Sequence, residues 1–226
     1  MDLDIVADEA AAAREAAAWI AARARDAVRE RGRFAFAVSG GRTPWLMLGA
    51  LAGEDMPWDA VHLFQVDERV APDGDAQRNL THITASLLAH AARPRLHAMP
   101  VEAADLQAAA RAYAAMLHEV CGDPPVFDLV HLGLGADGHT ASLVPGDPVL
   151  DVSDADVAIT GPYQGRRRMT LTYPVLNRSR GLLWLATGVE KRPMVDRLLA
   201  GDATIPAGRV ATGRARLIVD RAARGA

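Results

Sequence analysis

The chain has 226 residues, of which 50% are hydrophobic and 23% charged, with a formal net charge of −3. This composition supplies a sizeable core and excludes intrinsic disorder. It also lacks the basic stripe of a nucleic-acid binder, so an anionic ligand has to be held by local positive charge. Cys121 is the only cysteine, which excludes an internal disulfide and a cysteine-based zinc site and favours a reducing compartment.

The N-terminus begins acidic and carries Arg14 and Glu15 inside its apolar part. A secretory signal needs a basic start and an unbroken apolar run, and no segment approaches the ~20 uncharged apolar residues of a membrane span. A cytoplasmic location is expected, with no membrane and no nucleic-acid partner. Residues 8–31 read as an alanine-rich helix with Trp19, Ile20 and Val28 on its apolar face, ended by Gly32. The apolar run 34–38 predicts a buried strand, 45–51 a helix and 61–66 the next strand. Helical patterns cover 77–90 and 103–120. A strand follows at 128–132, then strands at 156–160, 169–172, 182–186 and 216–219, with a helix at 190–199. Strands alternating with helices predict an α/β fold with a mainly parallel, doubly covered, Rossmann-like sheet. With no linker, repeat or low-complexity tail, a single domain over 1–226 is expected.

Ligands of such sheets bind at the carboxyl ends of the strands, and three loops there carry candidate chemistry. The first is SGGRTP, Ser39-Gly40-Gly41-Arg42-Thr43-Pro44. Its glycines bring bare amides close to a ligand, Thr43 suits the N-cap and Pro44 the first helical position, and a helix N-terminus attracts anions. Ser39 and Thr43 add hydroxyls and Arg42 a charge, so phosphate binding is expected. The second loop is Asp67-Glu68-Arg69-Val70, where Arg69 faces the same cleft with a planar fork suited to phosphate or a developing oxyanion. Asn79 further on is a candidate for sugar hydroxyls.

The third loop is GLGADGHTAS, residues 133–142. His139 suits a general base near neutral pH, and Asp137, two residues earlier, suits the acceptor that favours its imidazolium. The other histidines at 62, 82, 90 and 118 fit packing or capping roles. Of the run Arg166-Arg167-Arg168, Arg168 lies nearest a strand and is the one expected to reach a ligand. Lys191, the only lysine, offers a compact charge where a guanidinium is too wide.

Taken in order, SGGRTP, VDERV with Asn79, GLGADGHTASLVPG, RMTLTYPVLN and ATGVEK resemble the glucosamine-6-phosphate isomerase/6-phosphogluconolactonase family over residues 35–199. The resemblance implies the α/β sheet shared by glucosamine-6-phosphate deaminase and ribose-5-phosphate isomerase. It also implies hydrolysis of 6-phospho-D-glucono-1,5-lactone to 6-phospho-D-gluconate, in the oxidative pentose phosphate pathway, without metal; no cofactor and a monomer or weak homodimer are expected besides. It makes His139 the base that activates water, with Asp137 as its partner. It places Gly40, Gly41 and Thr43 at the phosphate and has Arg69, Arg168 and Lys191 line the anionic site, while Ser39, Arg42, Asp67 and Asn79 are expected among the binding residues from their own positions. Two departures stand out. Val144 replaces the usual phenylalanine, and residues 209–213 lack the expected proline-alanine-serine pattern.

Ser142 reads as structural, since a lactone needs no covalent nucleophile. Two other readings fit less well. A deaminase or isomerase would use a carboxylate such as Asp67 to take a proton from carbon, but its pattern after the histidine departs from Thr140-Ala141-Ser142-Leu143. A sugar-phosphate sensor would carry a DNA-binding segment, and no recognition helix precedes Gly32.

Overall fold

The computed structural model describes residues 1–90 and 93–225. In chain order the elements are β1 (Asp2–Val6), α1 (Glu9–Arg31), β2 (Phe34–Val38), α2 (Arg42–Leu51), β3 (Val61–Gln65), β4 (Asp67–Arg69), α3 (Asn79–Ser86) and β5 (Arg95–His97). They continue as α4 (Leu106–Cys121), β6 (Leu129–Gly133), β7 (Val157–Ile159), β8 (Arg168–Leu171), α5 (Tyr173–Arg178), β9 (Leu182–Ala186), α6 (Arg192–Leu199), β10 (Ala215–Asp220) and α7 (Arg221–Arg224).

Seven strands form an all-parallel sheet in the order β1-β10-β9-β6-β2-β3-β5. The expected α/β architecture is therefore present. Every residue of β2 and β9 is buried, as a strand covered on both faces requires. One core packs the alanine stripe of α1 with Met47 and Leu48 of α2 and Ile83 of α3. The core on the opposite face takes Tyr113 and Leu117 of α4 together with Leu176 and Val195 of α5 and α6.

Strand order determines where a ligand can enter. From β2 the chain runs outward to β3 and then β5, whereas from β6 it runs the other way, to β9 and then β10. The carboxyl ends of β2 and β6, paired through Phe36 opposite Leu129 and Ala37 opposite Val130, therefore flank the topological switch point.

Several expectations need correction. The strands near 156–160 and 169–172 do not join the main sheet; as β7 and β8 they form a small antiparallel sheet with β4. The charged stretch 67–69, read as a loop, is the strand β4, and β1, β5 and α5 were not anticipated. β1 and β5 are short strands at the two edges of the sheet, and in β1 Leu3 and Ile5 are themselves exposed beside aspartates, so no buried apolar run marks it. Helix 77–90 is shorter: α3 ends at Ser86 and only a 3₁₀ turn follows at Leu88–His90. α2 begins at Arg42, with Gly41 rather than Thr43 at its N-cap, so Pro44 lies within the first turn instead of opening the helix.

α3 is held to β4 by Glu68, which is completely buried. Its carboxylate accepts the Asn79 and Leu80 amides, both at 2.8 Å, the Arg69 amide at 2.8 Å and Gln65 Nε2 at 2.7 Å. The charge thus sits at a helix N-terminus, where it is favoured. Glu68→Ala leaves these donors buried and unpaired, and a loss of about 3 kcal/mol in unfolding free energy is expected from urea denaturation.

Candidate active site

A cavity of about 450 Å³ opens at the switch point. The loop after β2 contributes Ser39, Gly40 and Gly41, and the turn after β6 contributes Asp137 and His139. The small sheet adds Asp67, Arg69 and Arg168, α3 adds Asn79, and the turn before α6 adds Lys191. Ten of the twelve residues expected from the sequence thus line one hollow. Arg42 and Thr43 face a neighbouring depression that shares Gly40, Gly41 and Lys191 with it. Arg42 is 79% exposed at its side chain and pairs with Glu9 at 3.0 Å. The Thr43 hydroxyl is 2.7 Å from both Glu9 Oε1 and Thr187 Oγ1.

Gly40 is required by close approach, because a Cβ there would overlap the Asn79 amide. Gly41, at φ 131°, leaves the extended region that a side chain tolerates. Behind the loop, His131 of β6 is fully buried and its Nδ1 accepts the Ser39 amide at 3.3 Å. Burial pushes the pKa of His131 down to about 3, so it is a neutral acceptor.

The histidine turn is closed by its own backbone: the Gly135 amide donates to His139 O at 2.8 Å and the Gly138 amide to Gly135 O at 3.0 Å. Asp137 Oδ1 accepts from His139 Nδ1 at 2.5 Å and from the His139 amide at 3.1 Å. Partial burial opposes ionisation of Asp137, but hydrogen bonds and charge from His139, with Tyr163, outweigh it and hold the carboxyl below its usual pKa. With Nδ1 donating to Asp137, Nε2 of the neutral ring is the free acceptor. A Cβ on Gly135 would overlap the His139 ring. On the outer side, the Ala207 amide donates to Gly138 O at 2.9 Å, so residues just before the segment left without a role brace this turn.

The small sheet sets Arg69 directly opposite Arg168. Like charges at cross-strand positions repel, and this arrangement needs an anion or other compensation. Arg69 donates to Asn79 Oδ1, a neutral acceptor. Arg168 is only 4% exposed, and its nearest carboxylate oxygen, Asp67 Oδ2, lies 3.9 Å away. Desolvation lowers the pKa of Arg168, Asp67 opposes that shift and Arg69 adds to it. Asp67 is engaged at both oxygens, by Ser142 Oγ at 2.5 Å and by Asn79 Nδ2 at 3.1 Å. Ser142 is therefore a buried brace, in line with the expectation that a lactone needs no covalent nucleophile.

Sequence reading missed Tyr163 and Gln164, which also line the cavity. Tyr163 Oη donates to Asp137 Oδ2 at 3.0 Å, and the Arg168 guanidinium lies 4.9 Å from the Tyr163 ring centroid. The segment carries no motif; only its proximity to RMTLT signals a role.

Fold and cavity together define a doubly wound α/β protein with a cleft lined by Arg69, Arg168 and Lys191 and a histidine–aspartate pair at the switch point. The model of the family described as glucosamine-6-phosphate isomerases/6-phosphogluconolactonase matches residues 7–219, and the chain belongs to that family. A 6-phosphogluconolactonase of Synechocystis is 34% identical over 207 residues, covering 89% of this chain and 86% of the relative. The crystal structure of 6-phosphogluconolactonase from Thermotoga maritima superposes with a TM-score of 0.86 at 27% identity, covering 97% of this chain and 98% of that one. A monomeric glucosamine-6-phosphate deaminase shares the fold, with a TM-score of 0.83 at 18% identity over 100% of this chain and 99% of its own.

Gly135→Ala is expected to push the imidazole off Asp137 and to lower stability by about 1–3 kcal/mol through overpacking. Denaturant unfolding reads the stability, and the His139 ring resonances report the displaced imidazole.

Proposed function

We propose that the chain hydrolyses 6-phospho-D-glucono-1,5-lactone to 6-phospho-D-gluconate, with His139 as the general base. The observation that carries this reading is the opening of the His139–Asp137 pair and the Gly40–Gly41 amides into one cavity lined by Arg69, Arg168 and Lys191. The relatives named as lactonases support the substrate, and the geometry supports the division of labour.

In this reading the phosphate lies against the Gly40–Gly41 amides, Arg168 and Lys191, where free backbone donors and two cations offset its charge. The lactone ring then reaches towards His139. Nε2 takes a proton from water as the water oxygen bonds to C1, and Asp137 favours the imidazolium that forms. Arg69 stabilises the oxyanion on the former carbonyl. Collapse of the tetrahedral species breaks the C1–O5 bond, and the imidazolium returns the proton to O5. The resulting carboxylic acid ionises. Water is activated by the imidazole alone, so the scheme calls for no metal and no covalent intermediate. Both Asp67 oxygens are already bonded, which supports a bracing role over proton abstraction from carbon.

Freshly generated lactone, coupled to oxidation of the 6-phosphogluconate formed, tests this against spontaneous hydrolysis. His139→Ala is expected to lower turnover by roughly 10²–10⁴-fold with the fold intact. Near wild-type turnover in that variant removes the base from the scheme. Lys191→Ala removes a charge that holds ground state and transition state alike. A rise in KM of about 10-fold with kcat nearly unchanged is expected from steady-state kinetics.

A further inference from the structure

We infer that Tyr163 is a positioning residue of the catalytic pair: its hydroxyl fixes the Asp137 carboxylate, and through it the face that His139 turns to substrate. The inference rests on the lactonase reading above and assigns a residue that no sequence motif marks.

Three observations converge on it. First, the two oxygens of the Asp137 carboxylate face different residues: Oδ1 serves the His139 ring at 2.5 Å and the His139 amide at 3.1 Å, and Oδ2 accepts the Tyr163 hydroxyl at 3.0 Å. A carboxylate held by His139 alone can rotate about its last torsion, whereas the second donor locks its plane. Second, the Tyr163 ring stands edge-on to the His139 ring, with centroids 5.5 Å apart and planes 65° apart, and its face carries the Arg168 guanidinium. The ring thus connects the catalytic pair to the cation assigned to phosphate. Third, the residue is presented by a strained, tight turn. Tyr163 and Arg166 exchange backbone hydrogen bonds at 2.9 and 3.3 Å, and the intervening Gln164 and Gly165 have φ 52° and 79°. Positive φ at both central residues defines a primed hairpin, a costly conformation for glutamine. Strain of this kind persists where the surrounding structure holds a side chain in place for a purpose.

The titratable and charged groups facing the Asp137–Tyr163 contact are His139 on the same turn, Arg168 from β8, and Asp67, Arg69 and Lys191 on the other walls of the cavity. Desolvation, then the hydrogen bond and charge of Asp137, raises the pKa of the Tyr163 phenol, so it stays a donor through the neutral range. Removing that donor raises the carboxyl pKa of Asp137.

Tyr163→Phe deletes the hydroxyl and keeps the ring over Arg168. The expected result is a kcat lower by roughly 3- to 10-fold, the rate equivalent of one net hydrogen bond, with KM within about 2-fold of wild type. The acidic limb of kcat/KM moves to higher pH. Tyr163→Leu, which also removes the platform beneath Arg168, raises KM in addition. The Asp137 carboxyl titration, followed by NMR without substrate, moves upward in Tyr163→Phe and reads the pair whether or not the lactone is turned over. A Tyr163→Phe enzyme with wild-type kcat and unshifted titrations overturns the inference, as does a variant altered in stability alone. Absence of lactone turnover in the wild-type protein sinks the lactonase reading, and the carboxyl titration then decides on Tyr163 by itself.

Discussion

The parallel ladder between β2 and β6 is the constraint on which the site depends. Phe36 pairs with Leu129 and Ala37 with Val130, and the side chains of both strands are buried. A slip of one residue in β2 would exchange the large set Phe34, Phe36 and Val38 with the small Ala35 and Ala37 between the two cores, so packing specifies the register. Because the chain leaves these strands in opposite directions, no crossover covers the gap between their carboxyl ends. The Gly40–Gly41 amides and the His139 turn meet in that gap. His131 stiffens the junction from beneath, through the Ser39 amide.

Charge in the cleft runs against the charge of the whole molecule. The chain carries −3 overall, yet Arg69, Arg168 and Lys191 converge on one cavity. The two acidic residues on its walls, Asp67 and Asp137, are each bonded through both carboxylate oxygens to neighbouring side chains. Arg168 is almost fully buried, and among the described residues its Nε has no hydrogen-bond partner. Unpaired buried donors are costly, so the position of this guanidinium is enforced by its surroundings. The small antiparallel sheet enforces the arrangement, since its backbone register alone sets Arg69 opposite Arg168.

Much of this was legible in advance, for definite reasons. Glycines, a proline and a run of small polar residues mark loops wherever they occur, so SGGRTP and GADGH were found as strand-end turns. The short i to i+2 contact between Asp137 and His139 is nearly a property of the turn itself. The start of α2 was misjudged because Thr43 looks like a cap when only its neighbours are considered, whereas its hydroxyl bonds to Glu9 and Thr187 instead. The charged residues 67–69 looked like solvated loop, but Glu68 is buried by the helix whose amides it accepts. Tyr163 carried no motif of its own, since its partner Asp137 lies 26 residues away.

The sequence by itself determined the alternation of helix and strand, the buried parallel character of β2, β6 and β9, and the residue types available at the strand ends. These follow from periodicity, burial and turn chemistry, all of which act over a few residues. Only the tertiary structure decided that Arg69 stands across from Arg168, that Ser142 reaches Asp67 from 75 residues away, and that Tyr163 closes on Asp137. Such contacts depend on strand order and on which loops fold over the switch point, and distant segments meet only after the core has packed.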